Sequence, residues 1–251
     1  MKTHISIFLL YFGLIGTLAT PALASSPIVD NPDNRPHFSV RTAMDLTIPD
    51  DFKYSGITKD YPVSILTSAP GISIGAFYNA PIVANFYVEP GLELYYNTTG
   101  IDINALGEGE VSSNLINHKS TRKFGMRVPV TLGYHFDFIR NGSVSLFVGP
   151  VLDVAFSNDY YITTKKGFDD SFHLTGSLFN SILGSFGAKM QRVGLGLRTG
   201  IGFNFCRNFY FGLSGDIGLL NMIKMPDRTK SQMKISYHEN RFMVSIGYSF
   251  R

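Results

Sequence analysis

Cysteine is almost missing from this sequence: Cys206 stands alone among 251 residues. A single thiol excludes an intramolecular disulfide and a cysteine-based metal site. Cys206 also lies far from the N-terminal apolar run, so it is not an acylation site of the lipoprotein kind. Charge is scarce as well. Asp, Glu, Lys and Arg make up 16% of the chain, against about 25% for an ordinary soluble domain, and polarity comes instead from Gly, Ser, Asn and Thr. A formal net charge of +3, with no basic run longer than Lys165-Lys166, gives no electrostatic reason to expect nucleic acid as a partner. Past the first residues, no uncharged apolar run approaches the roughly 18 residues that a membrane helix requires. The histidines include no pair at metal-ligand spacing on one strand face. Gly194, Gly196 and Gly200 follow a two-residue alternation and do not form a phosphate loop opening a helix. No catalytic centre, cofactor or metal is expected.

What is present begins with a targeting pattern. Met1-Lys2 is basic, Ile5 to Leu18 is apolar, and Ala22-Leu23-Ala24 supplies small residues at a cleavage spacing. Residues 1–24 are expected to be a signal peptide and the polar, proline-containing stretch 25–36 a periplasmic linker. Residues 37–251 are then a single domain.

That domain is written in alternation. In Arg241 to Arg251, Phe242, Val244, Ile246, Tyr248 and Phe250 share one face, with Met243, Ser245, Gly247 and Ser249 on the other. A period of two is the mark of a strand with one apolar face. Seven earlier segments read the same way: 38–48, 72–78, 86–96, 124–134, 144–156, 192–203 and 209–219. The links between them alternate long and short. Even-numbered strands of about 9–11 residues, with short turns at one end and long loops at the other, describe a transmembrane barrel. Aromatics sort by strand end: Phe38, Tyr78, Phe86, Tyr134, Phe203, Phe209, Tyr248 and Phe250 at the short-turn end, Tyr96, Phe124, Phe156 and Phe242 at the long-loop end. Such rings mark two membrane–water interfaces. The fold class is therefore all-β, an eight-stranded antiparallel up-and-down transmembrane β-barrel whose last strand pairs with its first. Pro90 and Pro150 each remove a ladder donor and are read as local bulges.

The inner face is ionic: Arg41, Asp45, Glu89, Glu93, Arg127, Asp153, Arg192, Arg198 and Asp216, with Tyr87, Tyr95 and Tyr210. Register is set by placing Tyr96 beside Phe124 and Tyr134 beside Val144. It then predicts a Glu93–Arg127–Asp153 cluster, Arg127 facing Glu93 and diagonal to Asp153, and a second pair of Arg198 with Asp216. An eight-stranded barrel has room for side chains alone, so these charges fill the lumen. Ser236, His238 and Glu239, and Asp169, Asp170 and His173, are the groups at the long-loop rim that lipid-modifying chemistry could use. The stretch 177–186 is apolar enough for a short helix or a cap over the mouth.

The stretches FYVEPGLELYY, RVPVTLGYHFDF, VSLFVGPVLDVAF, RVGLGLRTGIGFNF and NRFMVSIGYSF resemble the PorT-like outer-membrane β-barrel proteins of the Bacteroidetes, within the wider set of OmpA-like eight-stranded barrels. The resemblance implies an outer-membrane barrel with periplasmic termini, multi-pass, structural or partner-binding through its external loops, in some members accessory to type IX secretion. It also implies that the terminal Tyr248-Ser249-Phe250 is read by the barrel-assembly machinery. Outer-membrane lipid, that machinery and protein partners at the loops or turns are the expected contacts. A lipid-modifying enzyme and a narrow passive pore are the alternatives.

Overall fold

The computed structural model describes residues 35–49, 52–55, 60–63, 66–83, 85–101, 116–139, 142–164, 173–180, 189–205, 208–224 and 234–250. The leader, nearly all of the linker, Asp169, Asp170, Cys206 and Arg251 lie outside these residues.

Period-two alternation becomes eight long strands: β1 (His37–Pro49), β2 (Ala69–Val83), β3 (Phe86–Ile101), β4 (Ile116–Ile139), β5 (Gly142–Thr164), β6 (Val193–Phe205), β7 (Phe209–Gly218) and β8 (Glu239–Phe250). Each pairs antiparallel with the next. β8 then pairs with β1, from Phe38 opposite Phe250 to Pro49 opposite Glu239. The sheet is closed and presents no edge, the condition that lipid imposes on strands because it offers no hydrogen-bond partner for a free backbone group.

The core is the lumen and the apolar face is outside. Phe38, Val40, Met44, Leu46 and Ile48 of β1 are exposed, whereas Ser39, Asp45 and Thr47 are buried. The aromatic rings cluster at the two strand ends. Phe38 packs on Tyr78, Phe86 on Tyr134 and Tyr248 on Phe250 at the short-turn end, with centroids 4.7, 4.8 and 5.1 Å apart. At the long-loop end Phe124 packs on Phe156 at 5.6 Å.

Four sequence readings need correction. The wall is taller than the alternation alone suggests. β4 and β5 run for 24 and 23 residues, and beyond the Phe124–Phe156 contact they continue as a paired two-stranded ribbon on the long-loop side. The ribbon is extended by His173–Ser177 on β5, while Leu66–Thr67 pairs with the end of β3. Much of the expected loop 157–191 is thus strand. Tyr134 stands opposite Leu146 and not Val144, a register two residues away from the expected one. Pro90 and Pro150 are not bulges. Pro90 pairs with Val130 and Pro150 with Leu197 in ladders whose register runs on unchanged. The irregularities fall instead at Pro81/Val83, Ile116/His118 and Asp137/Ile139, close to strand ends, and at Phe124/Gly125, within β4 at the long-loop aromatic ring. Both prolines point outward, and their missing donors cost little because neighbouring rungs are skipped. Finally Arg192, expected inside, precedes β6 and is exposed.

Candidate functional site: the charged lumen

Residues of inward parity on all eight strands meet in a narrow space, and the charged ones fall into three tiers. The central tier is built on Arg127 of β4, which is fully buried. Its guanidinium donates to Asp45 of β1 and to Met243 Sδ at 3.1 Å, and lies 3.7 Å from Glu93 and 3.8 Å from Asp216. Arg198 of β6 donates to both Glu93 oxygens at 2.6 and 2.9 Å and to both Asp216 oxygens at 2.7 and 3.0 Å. Three carboxylates thus share two guanidiniums, and Ser73 Oγ adds a neutral donor to Asp45 at 3.2 Å.

The second tier lies toward the long loops. Asp153 accepts from Arg241 of β8 and from the Tyr95 hydroxyl at 2.6 Å, with Lys123 Nζ 3.8 Å away. Glu239 accepts from Lys123 at 2.8 Å and from Arg241 at 2.9 Å. The third tier lies toward the short turns. There Arg41 holds Glu89 in a two-pronged pair at 2.7 and 2.5 Å, its guanidinium 3.8 Å from the Tyr210 ring centre and 4.4 Å from Phe77. Between the first and third tiers is a cavity of about 30 Å³ lined by Arg41, Glu89, Glu93, Arg198, Tyr210 and Met243, room for about two waters.

The five residues singled out from the sequence all face this lumen, but their partners differ from the expected ones. Arg198 does bind Asp216. Glu93 does face Arg127, yet its shorter bonds go to Arg198. Asp153 lies directly opposite Arg127 rather than diagonal to it, and its carboxylate nevertheless pairs with Arg241. The reason is reach. A long guanidinium in so narrow a barrel spans the lumen: Arg127 crosses from β4 to β1, Arg198 from β6 to β3, Arg241 from β8 to β5. Ladder neighbours do not reveal partners three strands away. Lys123, Arg241 and Met243 were not read as lumen groups, although each has the inward parity of its strand. Glu239, expected at the rim, is buried in the second tier.

Above the second tier the mouth is covered. Phe179, Met190, Met222, Ile223 and Tyr237 are buried there. Asn221 ties the layer together, its Oδ1 accepting from the backbone of Ile223 at 3.0 Å and of Tyr237 at 2.9 Å. The described part of the stretch expected as helix or cap, 177–180, is a strand end and turn carrying Phe179.

A family model described as the outer membrane protein beta-barrel domain matches residues 49–224. The chain belongs to this family. It is an outer-membrane β-barrel protein. Among solved structures it is similar to OprG from Pseudomonas aeruginosa (13% identity, 87% of this chain and 97% of that chain covered, TM-score 0.46). It is similar also to Ail of Yersinia pestis (15% identity, 86% and 97% covered, TM-score 0.36) and to Neisserial surface protein A (11% identity, 85% and 97% covered, TM-score 0.37). No curated protein matches the chain.

Proposed function

We propose that this member of the family is a sealed barrel that works through its surfaces, with external loops contacting partners, and that it neither conducts solutes nor catalyses a reaction. One observation carries the reading: the lumen is filled by mutually bonded charges from wall to wall and roofed by a buried apolar layer. A pore needs water along its axis, whereas the central Arg127 is fully buried and bonded across the lumen to Asp45.

The first and last strands meet at Phe38 and Phe250, beside the short turns. With short turns in the periplasm, the usual arrangement of such barrels, both termini are periplasmic and the extended ends of β4 and β5, 116–123 paired with 157–164, stand outside. Of the two rim groups that lipid-modifying chemistry could use, the Ser236–His238–Glu239 group loses its orienting acid, because Glu239 is already bonded to Lys123 and Arg241. A role accessory to type IX secretion is supported by the strand-pattern resemblance to PorT-like barrels, and loss of secreted cargo on deletion of the gene is its test. The sealed barrel is tested in planar bilayers. Purified wild-type protein is expected to give no steady conductance, and Arg127→Ala, which empties the central tier, is expected to give measurable steps. A stable open level in wild type overturns the reading.

A further inference from the structure

At the barrel mouth two lysines are held side by side. Lys189 stands opposite Lys224, and Met190 opposite Ile223, in a two-rung ladder. Met190 and Ile223 are buried in the apolar roof, which leaves Lys189 and Lys224 together on the exposed face. Like charges directly opposed across a ladder are destabilising. Among the described residues neither ammonium has a carboxylate partner.

Two arginines join them just above the lipid-facing Phe124–Phe156 pair. Arg192 is exposed, its guanidinium 4.5 Å over the Phe179 ring and donating to the Phe156 carbonyl at 3.2 Å. Arg122 is exposed on the outer face, 4.4 Å over Tyr161. Register places one acid, Asp159, opposite Arg122. Both guanidiniums are held by aromatic rings, and among the described residues neither makes an ion pair with a carboxylate. Arg192 is level with the end of the apolar band, since its carbonyl accepts from Ala155 at 2.7 Å. Lys189, three residues before it, lies at most roughly 10 Å further along the chain, which at a strand tilt of about 40° is roughly 7–8 Å above the apolar band, at the outer side of the headgroup layer.

We propose that Arg122, Lys189, Arg192 and Lys224 form a binding site for the phosphate groups of an anionic lipid of the outer leaflet. A phosphate oxygen between the two ammonium groups relieves their repulsion, and the guanidinium forks supply charge-assisted hydrogen bonds. The aromatic girdle beside them holds the acyl region of the same lipid.

The full-length barrel is reconstituted into nanodiscs of phosphatidylcholine containing one tenth phosphatidic acid, and lipids retained by the released protein are counted by native mass spectrometry. Nanodiscs expose both leaflets, so the result is independent of orientation in the cell. Wild type is expected to retain phosphatidic acid in preference to phosphatidylcholine. Lys189→Gln with Lys224→Gln is expected to reduce that preference by about five-fold for each charge removed, whereas Lys189→Arg with Lys224→Arg preserves it. Heat-modifiable gel mobility verifies that each variant is folded. No preference in wild type, or an equal preference in the glutamine variant, overturns the proposal. So does stabilisation of the detergent-solubilised barrel by inorganic phosphate alone to the same degree as by phosphatidic acid, which identifies a soluble-anion site.

Discussion

Arg127 shows how a single side chain can hold a lumen together. Its guanidinium ties β4 to Asp45 on β1 and stands within ion-pair range of Glu93 and Asp216. Removing one member of a buried pair leaves the other charge without compensation, typically at a cost of about 3–5 kcal/mol. Arg127→Ala should therefore lower the stability of the folded barrel by about that amount in urea unfolding from micelles. Adding Asp45→Asn to that variant should recover part of the loss, because the stranded carboxylate is then neutral. An additive double variant would mean that the two groups do not interact. The sequence announced most of the charges that face inward, because inwardness depends on parity within a strand; Arg192, just before β6, and Lys123 and Arg241, near the ends of the apolar alternation, are the exceptions. It did not announce partners, because partnership across the lumen depends on barrel diameter and side-chain length. Asp153 makes the difference plain: it is the ladder neighbour of Arg127 and the ionic partner of Arg241.

Within the strands, the device that repeats is a tyrosine laid flat across a glycine on the next strand. Tyr87 stands opposite Gly133 and Tyr95 opposite Gly125. A Cβ added at Gly133 would lie 2.2 Å from the Tyr87 ring, and one at Gly125 would lie 2.6 Å from the Tyr95 hydroxyl oxygen. The glycines give the rings their seat, and Tyr95 is thereby aimed at Asp153. Gly133→Ala should displace Tyr87 from its stack on His135, 4.2 Å away, and cost about 1–3 kcal/mol. Gly215→Ala, whose Cβ would come no closer than 3.5 Å to the Arg241 carbonyl oxygen, should be nearly neutral. Equal melting temperatures for the two variants would count against the packing role. The prolines carry the opposite lesson. Pro150 reads as a ladder breaker in isolation, yet its ring faces lipid and the pairing with β6 continues in register on both sides of it. A period-two pattern gives the face a residue occupies, not which rungs a ladder can spare.

At the scale of the whole molecule, the alternation, the even strand count and the two aromatic rings sufficed to foresee a closed barrel, because lipid leaves so few other solutions. The height of the wall and the roof over its mouth were hidden, since 116–123 and 157–164 are polar strands outside the bilayer that lack the apolar face by which the others were recognised. Burial of so many charges depends on the seam between β1 and β8: were it open, the lumen would flood and two edges would meet hydrocarbon. Ser39 and Ser249 face each other across that seam, both buried, and the Ser249 backbone is bonded to Asn208 on the far side. They therefore form a non-hydrogen-bonded pair, with Cα atoms about 4.5 Å apart and within disulfide reach. The decisive measurement is oxidation of Ser39→Cys with Ser249→Cys in a Cys206→Ser background, read as loss of free thiols in the folded, membrane-inserted protein. A closed barrel gives near-complete cross-linking of this pair and none for the mismatched pair Ser39→Cys with Ser245→Cys; thiols that stay free at both seam positions, or that cross-link equally in both pairs, would contradict closure.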